Sequence, residues 1–392
     1  MDTAKKSQNK LDKLLLIIYL VLFPFGQLLR FQTDILGKSI ALYPTDLLVM
    51  IMALSLIYKK VLIPKIFKYF LNYILFAAFS LLVSLSFFTF NQVLISSLYL
   101  IRFTSYLLFF VYVWNLIKSG IKKEWFFNKL IIISFVVSIL GIGQYLLIPD
   151  VRFLQNFGWD NHLLRIIGTF FDPGYTAIII TFGLTLSLIS YLETRKLQYI
   201  ILILINGLSL AFTYSRAGFL SLTVSILVLI FIYKKYKLFI VLLGFLLFLP
   251  FLPRPASEGA RLERIVSIKA RMENYQESLK IIKTSPLIGV GFNNLCPARL
   301  KIFGGNPLSH SCYGADSSIL FVLATSGIVG LMLYLYMLMK LILGRSNNSY
   351  SKALLAASSA LFVHSFFMNS LFYPWVMGYM AILLAISTKG DT

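Results

Sequence analysis

Long apolar runs separated by short basic loops dominate this chain, and they predict a set of membrane-spanning helices, each needing about 20 mostly apolar residues. The first run covers residues 14–29 and the second about 40–58. A third, about 69–88, turns at Asn91 and Gln92 into a fourth at about 95–117. The fifth reaches Pro149, and a loop at 150–173 follows. The sixth ends before Arg195, the seventh near Thr213, the eighth at Lys234 and the ninth at Pro250. The last three cover about 317–339, 353–367 and 371–387. No small-residue cleavage site follows residues 14–29, so that run is read as a span and not as a cleavable signal peptide.

One long polar stretch interrupts the pattern. Residues 253–316 carry nine of the 36 Lys/Arg residues, both cysteines and one of the three histidines. From Leu262, apolar residues recur at Ile265, Ile268, Met272, Tyr275, Leu279 and Ile282, the spacing of an amphipathic helix. Pro286 is its stop signal. Arg264 and Arg271 lie two turns apart on one face of it. In the stretch 286–294, Gly289 and Gly291 permit backbone angles closed to other residues. The fold expected is an all-α polytopic membrane protein of about 12 transmembrane helices: 1–252 holds helices 1–9, 253–316 a large extracytoplasmic loop with its amphipathic helix, and 317–392 helices 10–12.

Charge fixes the orientation. Of the 36 basic residues, 21 fall in the N-terminal tail and in every second loop after it, whereas the opposite side carries five outside the large loop, with Arg102 inside a span. That asymmetry is the positive-inside signature, and long loops follow it poorly. Both termini are therefore expected in the cytoplasm and the large loop outside. Composition agrees: 58% hydrophobic and 13% charged residues, with a mean hydropathy of +0.82, exclude an ordinary soluble domain. The net charge of +21 suggests nucleic acid at first sight. Its distribution over alternating loops makes it an orientation signal instead.

Polar groups gather on the outer side. Arg216 lies in the turn 213–218 between the seventh and eighth spans. Arg165 precedes 168–174, where Asp172 reads as a helix cap and Pro173 as the first-turn residue. His310 lies a few residues before the tenth span. Arginines and a histidine gathered at one interface suit an anionic, phosphate-bearing ligand, because guanidinium pairs bidentately with phosphate and imidazole takes a proton near neutral pH. Plainer roles stand beside this one: Arg264 and Arg271 as a solvated or headgroup-facing surface, Arg216 as a snorkelling residue, His310 as a surface histidine. Arg102, with Asp46 at similar depth, reads as half of an interior ion pair, with a ligand phosphate as the alternative. His162 and His364 are read as structural. Cys296 and Cys312 lie in a compartment that permits a disulfide. No metal-ligand pattern and no nucleotide fingerprint occurs, so no cofactor is expected.

Taken together, the stretches 165–173, 214–218, 271–275, 286–291, 309–313 and 325–330 resemble the O-antigen ligase and polymerase family of bacterial membrane glycosyltransferases. The resemblance runs over roughly 160–335. It departs at Gly174, where Asn is common, at Tyr275, where Trp is common, and at Ser311, where Asn usually follows the histidine. It implies a metal-independent, inverting transfer of a glycan from an undecaprenyl diphosphate carrier to a sugar hydroxyl, at the outer leaflet of the inner membrane. His310 is then the base and Arg216 and Arg271 the catalytic diphosphate contacts. Arg165, Arg264 and Arg102 become further substrate-binding candidates. The implied partners are the undecaprenyl diphosphate-linked oligosaccharide, an acceptor glycan and the bilayer, with a chain-length regulator as a further candidate. A polymerase is the favoured reading, a ligase to lipid A core its alternative, and a flippase of lipid-linked sugars the alternative of another class.

Overall fold

The computed structural model describes residues 2–35, 38–59, 61–253, 266–304, 312, 314–343 and 348–388. The chain forms α1 (Asp2–Leu22), α2 (Pro44–Ser55), α3 (Phe67–Val83), α4 (Phe90–Lys118), α5 (Lys123–Leu147), α6 (Pro173–Thr194) and α7 (Leu197–Phe212). It continues with α8 (Arg216–Tyr233), α9 (Lys237–Phe248), α10 (Val266–Thr284), α11 (Leu295–Phe303), α12 (Ser318–Leu343), α13 (Ser349–His364) and α14 (Pro374–Ser387). Among the described residues, seven of these helices are long and apolar enough to cross a membrane, and α2, α7, α9 and α14 are shorter apolar helices. With α13 they fall on the twelve apolar runs of the sequence, so the protein is an all-α polytopic membrane protein. Short 3-10 turns lengthen α2 at Leu56–Tyr58 and α9 at Leu249–Phe251.

One strand pair was not expected from the pattern. β1 (Phe31–Ile35) and β2 (Lys38–Leu42) pair antiparallel, with Phe31 opposite Leu42. The second span consequently starts later than residue 40. Tyr43 is extended, and Pro44 opens α2, where its missing amide costs nothing.

The chain divides into two compact units, each drawn from three stretches: 1–29, 117–264 and 346–364 in one, 30–116, 265–345 and 365–392 in the other. In the first, α6 is the central helix and is buried along most of its length. Its neighbours approach through small and hydroxyl residues, as they do where apolar lipid offers no incentive to bury larger apolar side chains. Thr185 and Ser225 share a hydrogen bond of 2.7 Å, Ser134 donates to the Ile179 carbonyl at 3.0 Å, and Ser138 donates to Asn206 at 2.6 Å.

The second unit has an aromatic core in which Tyr73, Phe103, Phe292, Phe321, Tyr334 and Phe372 meet ring to ring. Beside that core α12 is broken at Gly327 (φ 63°, ψ −171°). Residues 286–291 thread into the break. The Val290 and Gly291 amides donate to the Ala324 and Thr325 carbonyls at 3.0 Å each, and the Ile328 and Val329 amides donate to Pro286 and Leu287 at 2.9 and 3.3 Å. Ser80 on α3 donates to the Ile288 and Thr325 carbonyls at 2.8 and 3.1 Å. The backbone groups freed by the break thus find protein partners, the condition for irregular backbone at membrane depth. A Cβ on Gly289 would lie 2.4 Å from the Ser326 amide nitrogen, and one on Gly327 would lie 2.3 Å from the Leu287 carbonyl carbon. Two stretches whose glycines, Gly289 and Gly327, lie 38 positions apart in the sequence are therefore one structural feature.

Candidate functional site

In the first unit, the candidate site is built on the three-residue turn between α7 and α8. Thr213 closes α7, Tyr214 takes a left-handed conformation (φ 50°), and Ser215 caps α8 by accepting the Gly218 amide at 3.2 Å. Arg216 is then the first residue of α8, half-buried. Tyr214 is held by a 2.6 Å hydrogen bond to the Pro253 carbonyl, and burial pushes its phenol up to about 12, so it donates as a neutral group.

Arg165 braces this turn. Only 4% exposed, it donates through Nε and a terminal nitrogen to the Thr213 carbonyl at 3.1 and 2.8 Å, while the Ile166 amide donates to Phe212 at 2.9 Å. The Gln144 side-chain oxygen accepts the Ile167 and Gly168 amides at 3.0 and 3.3 Å, fixing the same loop from α5. Asp172 accepts the Gly174 and Tyr175 amides at 2.7 and 2.8 Å, with Pro173 opening α6, so the cap read from the sequence is formed. Burial is the leading influence on its carboxyl and pushes it up, against those amides and the Arg165 guanidinium. Leu164 (φ 53°) and Phe171 (φ 55°) are left-handed as well. Each of Arg165, Asp172 and Arg216 therefore follows, at one or two residues, a non-glycine residue in a conformation that is retained only where the surroundings over-determine it.

In the second unit, Arg271 lies half-buried on α10. The face of α10 that packs is not the apolar one. Ile268, Met272 and Leu279 are 47, 52 and 47% exposed, whereas Ser278 and Ile281 are fully buried. Polar anchors decide this. Asn274 accepts the Asp316 amide at 3.0 Å, Tyr275 donates to the Phe366 carbonyl, and Glu277 pairs with Arg299 at 2.9 Å. Seven residues before Ser278, Arg271 shares the packed side, and the apolar face is left to the interface, as in helices that lie on a membrane.

Arg299, on α11, ties α10 to the segment before α12 by donating to the Cys312 and Gly314 carbonyls at 2.9 and 3.3 Å. Burial pulls its guanidinium down, and Glu277 and Asp316 push it back up. Cys296 and Cys312 form a disulfide. Nothing in the sequence pairs Glu277 with Arg299, because they meet only through the fold.

Arg102 pairs with Asp46 at 2.9 Å, donates to the Ala41 carbonyl at 2.6 Å and lies against the rings of Tyr43 and Tyr99, while Tyr106 donates to Asp46 at 2.9 Å. The interior ion pair is thus formed, and it braces β2. His162 is 7% exposed and His364 fully buried. His310 and Arg264 lie outside the described residues.

These features define a class: a polytopic membrane protein that carries arginines on a strained interhelical turn and on an amphipathic surface helix. Residues 199–335 match the family model described as O-antigen ligase. That stretch of the chain is thus similar to O-antigen ligases. It spans α7 to most of α12, and so includes Arg216, Arg271, His310 and both halves of the threaded break. No curated protein matches the chain.

Proposed function

We propose that this protein is a surface-polysaccharide polymerase, transferring a glycan from an undecaprenyl diphosphate-linked donor to a sugar hydroxyl at the outer leaflet of the bacterial cytoplasmic membrane, with inversion and without a metal ion. His310 takes the proton of the acceptor hydroxyl, whose oxygen bonds to the anomeric carbon. The bond from that carbon to the diphosphate oxygen breaks, and the carrier leaves with the electron pair. Arg216 and Arg271 bind the diphosphate and offset the charge that develops on it, which they can do because guanidinium stays ionised and pairs bidentately with phosphate oxygens. Arg165 acts through the turn it braces.

The observation that carries this reading is the Arg216 turn: a cation set at a helix start by a strained residue, a serine cap and a buried arginine clamp. Fixed positive charge of that kind is what a diphosphate leaving group requires. The disulfide between Cys296 and Cys312 favours an oxidising compartment for the large loop, in agreement with the basic residues on the other side. The ligase reading is favoured by the family description itself and uses the same chemistry.

A surface-polysaccharide gel of the host, with protein abundance checked, tests both. Replacing the base is expected to cost about 10²–10⁴-fold in rate and removing a charge-stabilising arginine about 10²–10³-fold. For His310→Ala, a ladder reduced to core plus one repeat unit supports the polymerase. Loss of every core-attached band with lipid-linked polymer accumulating supports the ligase. An unchanged ladder from His310→Ala, Arg216→Ala and Arg271→Ala refutes the enzyme and leaves the transporter.

A further inference from the structure

At the opposite end of the first unit, α1 and α5 enclose a groove of about 450 Å³ that the glycosyl-transfer reading does not use. Its walls are apolar: Ile17, Val21 and Phe25 on one side, Ile132 and Val136 on the other. The lining positions recur at helical spacing on both helices, Lys13, Ile17 and Val21 on α1 and Trp125, Lys129, Ile132 and Val136 on α5. Both helices meet the groove first with their basic end. There Lys13 and Lys129 place their ammonium groups 6.0 and 5.7 Å from the centre of one ring, that of Trp125.

The dimensions fit one class of molecule. From Trp125 to Val136 the helix rises about 16 Å at 1.5 Å per residue, close to half of a bilayer core about 30 Å thick. The groove is therefore one leaflet deep, with a cationic head, an indole at the depth where aromatic belts lie, and a hydrocarbon-lined body. Exposed Ile17, Val21 and Ile132 give it an opening from the lipid side (37, 59 and 47%). Of the carboxylates near the basic end, Glu124 accepts the Tyr350 hydroxyl at 2.7 Å and Asp12 is buried at 7% exposure, and the start of α5 adds Lys122 and Lys123.

We infer that this groove is a binding site for one anionic glycerophospholipid of the cytoplasmic leaflet, its phosphate held by Lys13 and Lys129 and one acyl chain laid along α1 and α5. A zwitterionic lipid fits the walls equally well but carries a fixed cation to the lysines. The selectivity for anionic headgroups therefore comes from the two ammonium groups. Each lysine near the surface contributes about 1 kcal/mol toward an anionic headgroup, or about fivefold in affinity and about thirtyfold for the two.

The test is native mass spectrometry of the full-length, delipidated protein titrated with phosphatidylglycerol or phosphatidylcholine. Wild type is expected to bind phosphatidylglycerol about thirtyfold more tightly than phosphatidylcholine. Lys13→Gln with Lys129→Gln brings the two lipids to parity, Lys10→Gln leaves the ratio unchanged, and Val21→Trp removes the bound lipid of either kind while keeping both charges. Should the double variant fail to fold, Lys129→Gln alone carries the expected drop of about fivefold. Equal affinity of wild type for the two lipids overturns the inference. So does selectivity that survives loss of both lysines, or anionic lipid still bound to Val21→Trp.

Discussion

Gly289→Ala is the most exacting test of the threaded helix break. The added Cβ meets the Ser326 amide nitrogen and the Thr325 carbonyl carbon at 2.4 Å, about 1 Å inside ordinary contact at 3.4 Å. Those atoms are backbone, so no side chain can rotate away. Moving them 1 Å stretches the Val290–Ala324 and Gly291–Thr325 hydrogen bonds, now 3.0 Å, beyond useful length. Alanine at φ +78° adds a left-handed penalty of about 1–2 kcal/mol. Overpacking adds about 1–3 kcal/mol, and two weakened hydrogen bonds about 1 kcal/mol each. A loss of at least about 4 kcal/mol is expected, which lowers an apparent Tm by roughly 10 °C. The assay is a thermal scan of purified protein in detergent, read by fluorescence-detected size exclusion. Gly244→Ala in α9, where a Cβ has nothing within 4 Å, is the matched control and should be neutral or stabilising by up to about 1 kcal/mol. If Gly289→Ala melts within 2 °C of that control, the backbone interlock is refuted.

Arg102→Met leaves Asp46 buried without its cation and is expected to cost about 3–5 kcal/mol, much of it recovered by the double variant with Asp46→Asn. Both are read by the same scan, and loss of transfer in a stable double variant would restore Arg102 as a phosphate contact. Asp172→Ala removes a cap that satisfies two amides and should cost about 1–2 kcal/mol, with Asp172→Asn close to wild type in thermal stability. Cys296→Ser with Cys312→Ser opens a loop whose ends are 16 residues apart and should cost about 3 kcal/mol, measured against wild type with and without reductant.

Most of the helical plan was legible because the bilayer imposes it: a span announces itself by length and composition, and its caps by local chemistry. The turn at 213–216 and the cap at Asp172 were visible for the same reason, being built from adjacent residues. What escaped was set by pairing at a distance. β1 and β2 alternate too briefly to stand out beside two spans. Glu277 and Arg299 sit 22 positions apart with no repeat to join them. The hydrogen bonds from the Arg165 guanidinium to the Thr213 carbonyl escaped as well, because only the fold brings those residues together.

Two remaining features bear on function. Periodicity located α10 and left open which of its faces packs, because hydrophobic spacing says which residues share a side and not which side meets protein when lipid competes for it. Once the apolar side is given to the interface, Arg271 falls on the side held by Asn274 and Glu277, the anchored placement that the proposed diphosphate contact requires. The break in α12 argues in the same direction. Broken helices are expected of transporters, where the freed carbonyls and helix ends coordinate the cargo. Here both edges of the break are occupied by the backbone of 286–291, and Ser80 takes up a further carbonyl. A break sealed in this way has its Ala324 and Thr325 carbonyls already bonded to protein. What it does instead is fix residues 286–291, the stretch directly after α10, against α12. The helix that carries Arg271 is anchored at its C-terminal end through that lock, so loosening it with Gly327→Ala should lower transfer at temperatures where the protein remains folded, an effect a transporter reading does not require.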